Sequence, residues 1–217
     1  MSLAPGSHSI EVCALKTVNS VLYSSTRTSF NFEVLPKVAQ TITASNPGSV
    51  FLSNESFTLG ASADSELELE YLSLTPLVCT VDPSGVVQTL EAGECTIKLS
   101  QGGNAQFLAA NDSTIDFNIV RPVPTALTAV KWKIVNLQGK LTWSAPSNKA
   151  LANIKSYVVK WRIALKGKSF GSWKTKTVYS AFWVSPKYAK WTKVQVKIYA
   201  VGETGNSPTV SSSTTIK

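Results

Sequence analysis

Apolar and polar residues alternate one for one through short runs that recur about every ten residues, each rich in Val, Ile, Thr, Tyr or Phe. The clearest are HSIEVCAL (8–15), SFNFEVL (29–35), ELELEYLSL (66–74), CTIKLS (95–100), TIDFNIV (114–120), SYVVKWRIAL (156–165) and KVQVKIYAV (193–201). Side chains on a strand point to opposite faces in turn, so each run has one face for a core and one for water. Gly, Pro, Asn, Asp and Ser separate the runs, and no long stretch carries the 3.6-residue period of an amphipathic helix. The pattern predicts an all-β chain of stacked sheets, that is, β-sandwiches.

Apolar runs of a handful of residues fall far short of the roughly 20 needed for a membrane-spanning helix. Met1 leads into APGSHS, without the basic and apolar segments of a secretory signal. That abrupt start reads as a piece of a longer protein, with MSL as a vector-derived beginning.

Charge divides the chain. Residues 1–121 hold five Lys/Arg against twelve Asp/Glu, a net −7, whereas residues 122–217 hold sixteen against one, a net +15. All six tryptophans lie in the basic part. Such an asymmetry marks both a domain boundary and a candidate partner of opposite charge. RPVP (121–124) falls at the change and reads as a strand exit and domain joint, because proline stiffens the chain and lacks a backbone donor.

The inventory for catalysis is poor. His8 is the lone histidine, and G-x-S-x-G, H-E-x-x-H and Gly-rich phosphate loops are missing from the sequence. A glycosidase needs two positioned carboxylates, yet the basic part has one acid, Glu203. Glu66, Glu68 and Glu70 alternate with Leu67, Leu69 and Tyr71, which reads as a solvated outer face. Calcium needs six to eight oxygens, usually from a dedicated loop. Asp112 and Asp116 take the same reading. No catalytic residue, metal site or cofactor is expected. Asn54 and Asn111 fit the N-glycosylation pattern, which matters only in a eukaryotic secretory pathway.

The acidic part resembles a known family. YLSLTPLVCTVDPSGVVQTLEAGECTIKLSQGGNAQFLAA (71–110) is similar to a bacterial immunoglobulin-like repeat of the kind strung in tandem in surface proteins, with turns and cysteines in register. APGSHSIEVCAL and STRTSFNFEVLP resemble the closing strands of such a repeat. Two or so strands in residues 1–35 are too few to bury a sandwich core. The segment therefore reads as the terminal hairpin of a preceding or partial repeat, the alternative being a hairpin appended to the next domain.

Residues 122–217 resemble a fibronectin type III domain. VPTALTAV (123–130), GKLTWSAP (139–146) and IKSYVVKWRIAL (154–165) look like its first three strands, with Trp143 and Tyr157 as core aromatics. KVQVKIYAVGETGNSPTVSSSTTI (193–216) looks like its last hairpin. One departure stands out: Val194 falls where the family's corner tyrosine sits, and Tyr199 falls on the opposite face. The organisation expected is 1–35 hairpin, 36–121 immunoglobulin-like domain and 122–217 fibronectin type III domain.

Cys79 and Cys95 are sixteen positions apart, with neither CxxC nor a nearby histidine, which does not fit zinc or redox catalysis. Cys79 alternates with Val81, and Cys95 with Ile97 and Leu99, so both share the inward phase of their strands. The expectation is a core disulfide, and the alternative is a pair of reduced buried thiols. Cys13 is left over, its partner expected in a missing part of its own repeat.

In GKSFGSWKTKTVYSAFWVSPKYAKWTKVQVKIY (167–199) lysines interleave with aromatics. Lys174, Lys176, Lys190, Trp173, Trp183 and Trp191 form a candidate anionic-ligand face, combining charge with stacking. Trp132 is a further candidate for exposure, whereas Trp161 has the parity of Tyr157 and Val159 and points inward, leaving Lys160 and Arg162 outside. The bland alternative is sandwich packing with lysines facing solvent.

The resemblances imply a non-enzymatic module of a bacterial extracellular or cell-surface protein, acting in spacing, presentation and adhesion beside neighbouring domains of a longer chain. A basic module binding an acidic polysaccharide, a teichoic-acid-like polymer or nucleic acid is one alternative, and a phage virion decoration module another.

Overall fold

A computed structural model describes residues 3–217. The protein is all-β, its strands forming multiple sheets around two separate apolar cores.

The chain begins with a long interrupted hairpin: β1 (Gly6–Val12), β2 (Leu15–Val18), β3 (Val21–Ser24) and β4 (Thr28–Val34). β1 pairs with β4 from Gly6↔Val34 to Val12↔Thr28, and β2 pairs with β3. The tip is a two-residue left-handed turn at Asn19 (φ 47) and Ser20 (φ 68), whose hand matches strand twist. The expected run 8–15 is therefore not one strand. It breaks at Cys13–Ala14, where the Ala14 amide donates to Ser25 Oγ at 2.9 Å. Register places His8, Ile10, Val12, Phe30, Phe32 and Val34 on one face. Most of that apolar face is open to solvent, Phe30 being 55% exposed.

Nine strands follow before Arg121: β5 (Ile42–Ala44), β6 (Val50–Phe51), β7 (Phe57–Thr58), β8 (Ala61–Ala63), β9 (Glu70–Ser73), β10 (Cys79–Val81), β11 (Val86–Thr89), β12 (Gly93–Ser100) and β13 (Ser113–Val120). One sheet runs β6-β13-β12-β9 and another β10-β11-β7, with β5-β8 as a separate pair. Leu52, Leu59, Val87, Ile97, Leu99, Ile115, Phe117 and Ile119 fill the core between them. The run expected at 66–74 shortens to β9. Its start is bent by Glu66, at φ 60, whose amide donates to Ala63 O at 3.1 Å. Glu66, Glu68 and Glu70 are nonetheless all exposed.

The turn 82–85 joins β10 to β11. Asp82 Oδ1 accepts from the Ser84 and Val86 amides, both at 2.9 Å. Gly85 sits at φ +76, with Tyr71 Cζ only 2.9 Å from where a Cβ would lie, so this position needs glycine.

The remaining strands are β14 (Thr128–Val135), β15 (Gln138–Ser144), β16 (Ser156–Ala164), β17 (Lys174–Val178), β18 (Phe182–Val184), β19 (Lys193–Val201) and β20 (Val210–Thr215). A three-stranded sheet, β14-β15-β18, faces a four-stranded one, β17-β16-β19-β20. Leu141, Trp143, Tyr157, Val159, Trp183, Val194, Val196, Ile198 and Ile216 pack between them. Trp143 meets Tyr157 edge to face, with centroids 5.4 Å apart. Val194 is fully buried where the corner tyrosine was missing, and Tyr199 lies on the other side of β19 beneath the Lys160 ammonium.

Arg121, between β13 and β14, ties the two cores together. Its Nη1 donates to Leu151 O at 3.2 Å, its Nη2 meets Glu91, and its Nε lies 3.6 Å from Glu203 Oε2. Leu151 itself packs against the first core.

Candidate functional site

Cys79 and Cys95 form a disulfide. Both are fully buried within the first core, as their shared phase predicts. Thr75 Oγ1 and Ser73 Oγ lie 3.5 and 3.6 Å from Cys79 Sγ. The bridge staples strands of different sheets, β10 and β12, and leaves no sulfur for chemistry. Cys13 is free and partly exposed.

Among the described residues no group of three His, Cys, Asp or Glu side chains gathers. Asp112 pairs with Lys98 at 2.6 Å. His8 Nε2 hydrogen-bonds with Ala4 O at 2.7 Å, and its ring stacks on Phe32. Glu203 is drawn into the junction between the cores: Asn153 Nδ2 donates to it at 2.6 Å, and Lys155 and Arg121 lie nearby, which together hold its carboxyl below the usual range.

The six residues singled out for an anionic face do not share one surface. Trp183 is a correction. It is only 3% exposed, wedged against Trp161 and Trp132 with centroids 5.0 and 6.3 Å away. A ligand cannot reach it, because β18 turns Trp183 inward and Phe182 and Val184 outward. Trp132 is half-buried as well, its Nε1 donating to Ser212 Oγ at 3.0 Å. Trp161 points inward and donates to Tyr188 Oη at 3.1 Å, while burial pushes the Tyr188 phenol up.

Lys174 and Lys176 are exposed on β17, but register pairs them with Trp161 and Val159, the inward phase. They stay in water because β17 is an edge strand, and they project away from the outer face carrying Lys160 and Arg162. Lys190 and Trp191 lie in the loop before β19, with Trp191 50% exposed and at φ 69.

Trp173, just ahead of β17, joins a different group. Arg162 Cζ stands 4.7 Å from its ring centroid and 4.9 Å from that of Phe170, and Lys197 Nζ lies 5.2 Å from the same indole. Arg162 Nε donates to Gln195 Oε1 at 2.8 Å. Cross-strand pairing sets Lys160 beside Lys197, Arg162 beside Gln195 and Ala164 beside Lys193. The outer face of this sheet therefore carries Lys160, Arg162, Lys193 and Lys197 together. Among the described residues, no carboxylate is paired with any of them.

Two depressions mark this side. One of about 430 Å³ is lined by Arg162, Trp173, Gln195, Lys197, Ser211 and Ser213. Another of about 540 Å³ is lined by Lys166, Lys168, Trp191, Lys193 and Thr215. The parity of KVQVKIY already places Lys193, Gln195 and Lys197 on one face beside Arg162. Which aromatic would join them lay outside any repeat pattern, since Trp173 sits in a loop.

No protein-family model and no curated protein matches the chain. A crystal structure of titin domains is similar over 94% of this chain and 82% of that one, at 13% identity and a TM-score of 0.40. The FN5 domain of Drosophila Lar matches over 43% of this chain and 96% of its own, at 17% identity and a TM-score of 0.34. The third fibronectin III domain of human KIAA0343 protein covers 45% of this chain and 86% of its own, at 11% identity and a TM-score of 0.37. These similarities are too distant to add to the fold, which rests on the strand order and the two cores described above.

Proposed function

We propose that the chain is a non-enzymatic modular segment of a bacterial extracellular or cell-surface protein that spaces and presents neighbouring domains and takes part in adhesion. The modules proposed are 36–121, immunoglobulin-like, and 122–217, fibronectin type III. Residues 1–35 are proposed as the closing hairpin of a preceding repeat, because their apolar face is left uncovered and a lone hairpin is marginal in water. The observation that carries the spacer reading is the Arg121 junction, where a side chain only 15% exposed engages both an acid of the first sandwich and an acid of the second. A stiff joint of this kind suits a module that sets distance. The buried disulfide supports an oxidising compartment.

Small-angle scattering of the purified chain tests the spacer role: a single extended particle of fixed length is expected, and a broad distribution of inter-domain distances would defeat it. Surface exposure is tested by protease treatment of intact source cells, which should remove the epitope.

A second reading, binding of an acidic polymer by the basic module, is favoured by the four uncompensated cations on the outer face of β17-β16-β19-β20. Salt-sensitive retention on an anionic resin, relative to residues 1–121 in the intact chain masked by antibody, is its first check.

A further inference from the structure

We propose that Arg162 is the centre of a built oxyanion site that, together with Lys197 and Lys193, takes a repeating acidic polysaccharide along β19 and β20. The inference rests on the acidic-polymer reading above and says where and how that polymer is held.

Arg162 is ordered from three sides. Phe170 and Trp173 lie against the guanidinium, and Gln195 Oε1 accepts a hydrogen bond from its Nε–H. Nη1 and Nη2 remain, and they form the planar fork that matches a carboxylate, sulfate or phosphate with two parallel hydrogen bonds. Because the side chain is already fixed, less conformational entropy is lost when an anion arrives. The same indole draws in Lys197, so two like charges are held close with no paired carboxylate. That arrangement repels itself until an anion is bound.

The second depression supplies the next anionic contact. Lys193 lies four residues from Lys197 on β19, about 13 Å along a strand that rises roughly 3.3 Å per residue. A ligand serving both must carry anionic groups at intervals. Between them, Ser211, Ser213 and Thr215 pair across from Lys197, Gln195 and Lys193 and share their face, giving a row of hydroxyls beside the cations. Hydroxyls donate and accept, which suits a polyhydroxylated chain. At Arg162 a nucleic acid fits less well, because unpaired bases want open aromatic faces and the Trp173 ring there is engaged by Arg162 and Lys197; the half-exposed Trp191 of the second depression is why the DNA is included in the test.

Titration calorimetry of the full chain with a sulfated uronic-acid octasaccharide, its disaccharide, neutral dextran and a single-stranded DNA of equal charge provides the test. Expected are tighter binding of the octasaccharide than of the disaccharide or the DNA, and none of dextran. Arg162→Lys keeps the charge but loses the fork, and is expected to weaken octasaccharide binding about tenfold, the equivalent of one charge-assisted hydrogen bond. Lys174→Glu/Lys176→Glu, on the other side of the sheet, is expected to change it less than Arg162→Lys does, despite altering four units of charge. Circular dichroism confirms that each variant is folded.

If Arg162→Lys binds like the parent while Lys174→Glu/Lys176→Glu abolishes binding, the Arg162 site is overturned and only diffuse attraction is left. Tighter binding of the DNA, equally sensitive to Arg162→Lys, overturns the polysaccharide. No binding of any polyanion at low salt overturns both this site and the acidic-polymer reading.

Discussion

Arg121 Nε lies 3.6 Å from Glu203 Oε2, while the same guanidinium reaches Glu91 on the other sandwich. Thr204 Oγ1 also donates to Arg121 O at 3.0 Å, so the linker backbone and its side chain are both held by the turn after β19. Two surface acids on separate domains thus converge on one cation. The exposed position of each acid keeps the pair modest in energy, and the contact joins residues on either side of the Arg121 linker.

Arg121→Ala is expected to loosen that junction while leaving both cores intact. Small-angle scattering should show a wider spread of inter-domain distances, and limited proteolysis should find residues 121–126. Thermal unfolding of the individual cores should barely move.

The junction is also pH-dependent. Glu203 has its folded pKa depressed below 4.5, chiefly by the Asn153 hydrogen bond and then by Lys155 and Arg121. A depressed carboxyl stabilises the fold fully above its unfolded value, and the contribution fades as pH falls through the folded value. The unfolding midpoints of the parent and Glu203→Gln should therefore differ at neutral pH and converge in acid, as the pH falls through the depressed folded value. A difference that grows on acidification would contradict the assignment.

Reducing the Cys79–Cys95 bridge, or replacing both cysteines by alanine, is expected to cost the first sandwich about 3 kcal/mol, from the unfolded-chain entropy that a loop of this length restores. Denaturant unfolding with and without reductant measures it. Intact mass before and after alkylation should find one reactive thiol, Cys13, in native protein.

The tryptophans should separate sharply. Trp183→Ala is expected to cost about 3–5 kcal/mol, because it empties the centre of the second core. Trp191→Ala, half in solvent, should stay within about 0.5 kcal/mol. Urea titration of the two variants distinguishes them.

On the hairpin, Phe30→Ser combined with Phe32→Ser is expected to leave the two cores unchanged and to lower binding of an apolar dye. Both rings lie on the hairpin's apolar face, Phe30 55% and Phe32 39% exposed. A large loss of stability would instead mean that the hairpin packs on the next domain.

Alternation made much of the fold legible. In KVQVKIYAV it separates Val194, Val196 and Ile198 from Lys193, Gln195 and Lys197 without ambiguity, and the buried and exposed sides follow it. The phase of Cys79 and Cys95 likewise puts both sulfurs in the core. Where alternation fails, so does the reading. Phe182, Trp183 and Val184 are three apolar residues in a row, so no period says which one faces in. Edge-strand lysines mislead differently: Lys174 and Lys176 have the inward phase yet stay wet, because no strand lies beyond them.

The sequence by itself determined the all-β class, the charge division and the facing of side chains within the clearly alternating runs, because composition and a period of two are read without knowing which strands pair. Only the tertiary structure decided which strands became edges, which loop aromatic met Arg162 and which acids met Arg121. Those contacts join residues such as Glu91, Arg121 and Glu203, or Arg162, Trp173 and Lys197, that strand pairing and loop paths bring together across the chain. No local period encodes them, since they depend on how whole sheets stack and where the chain crosses between them.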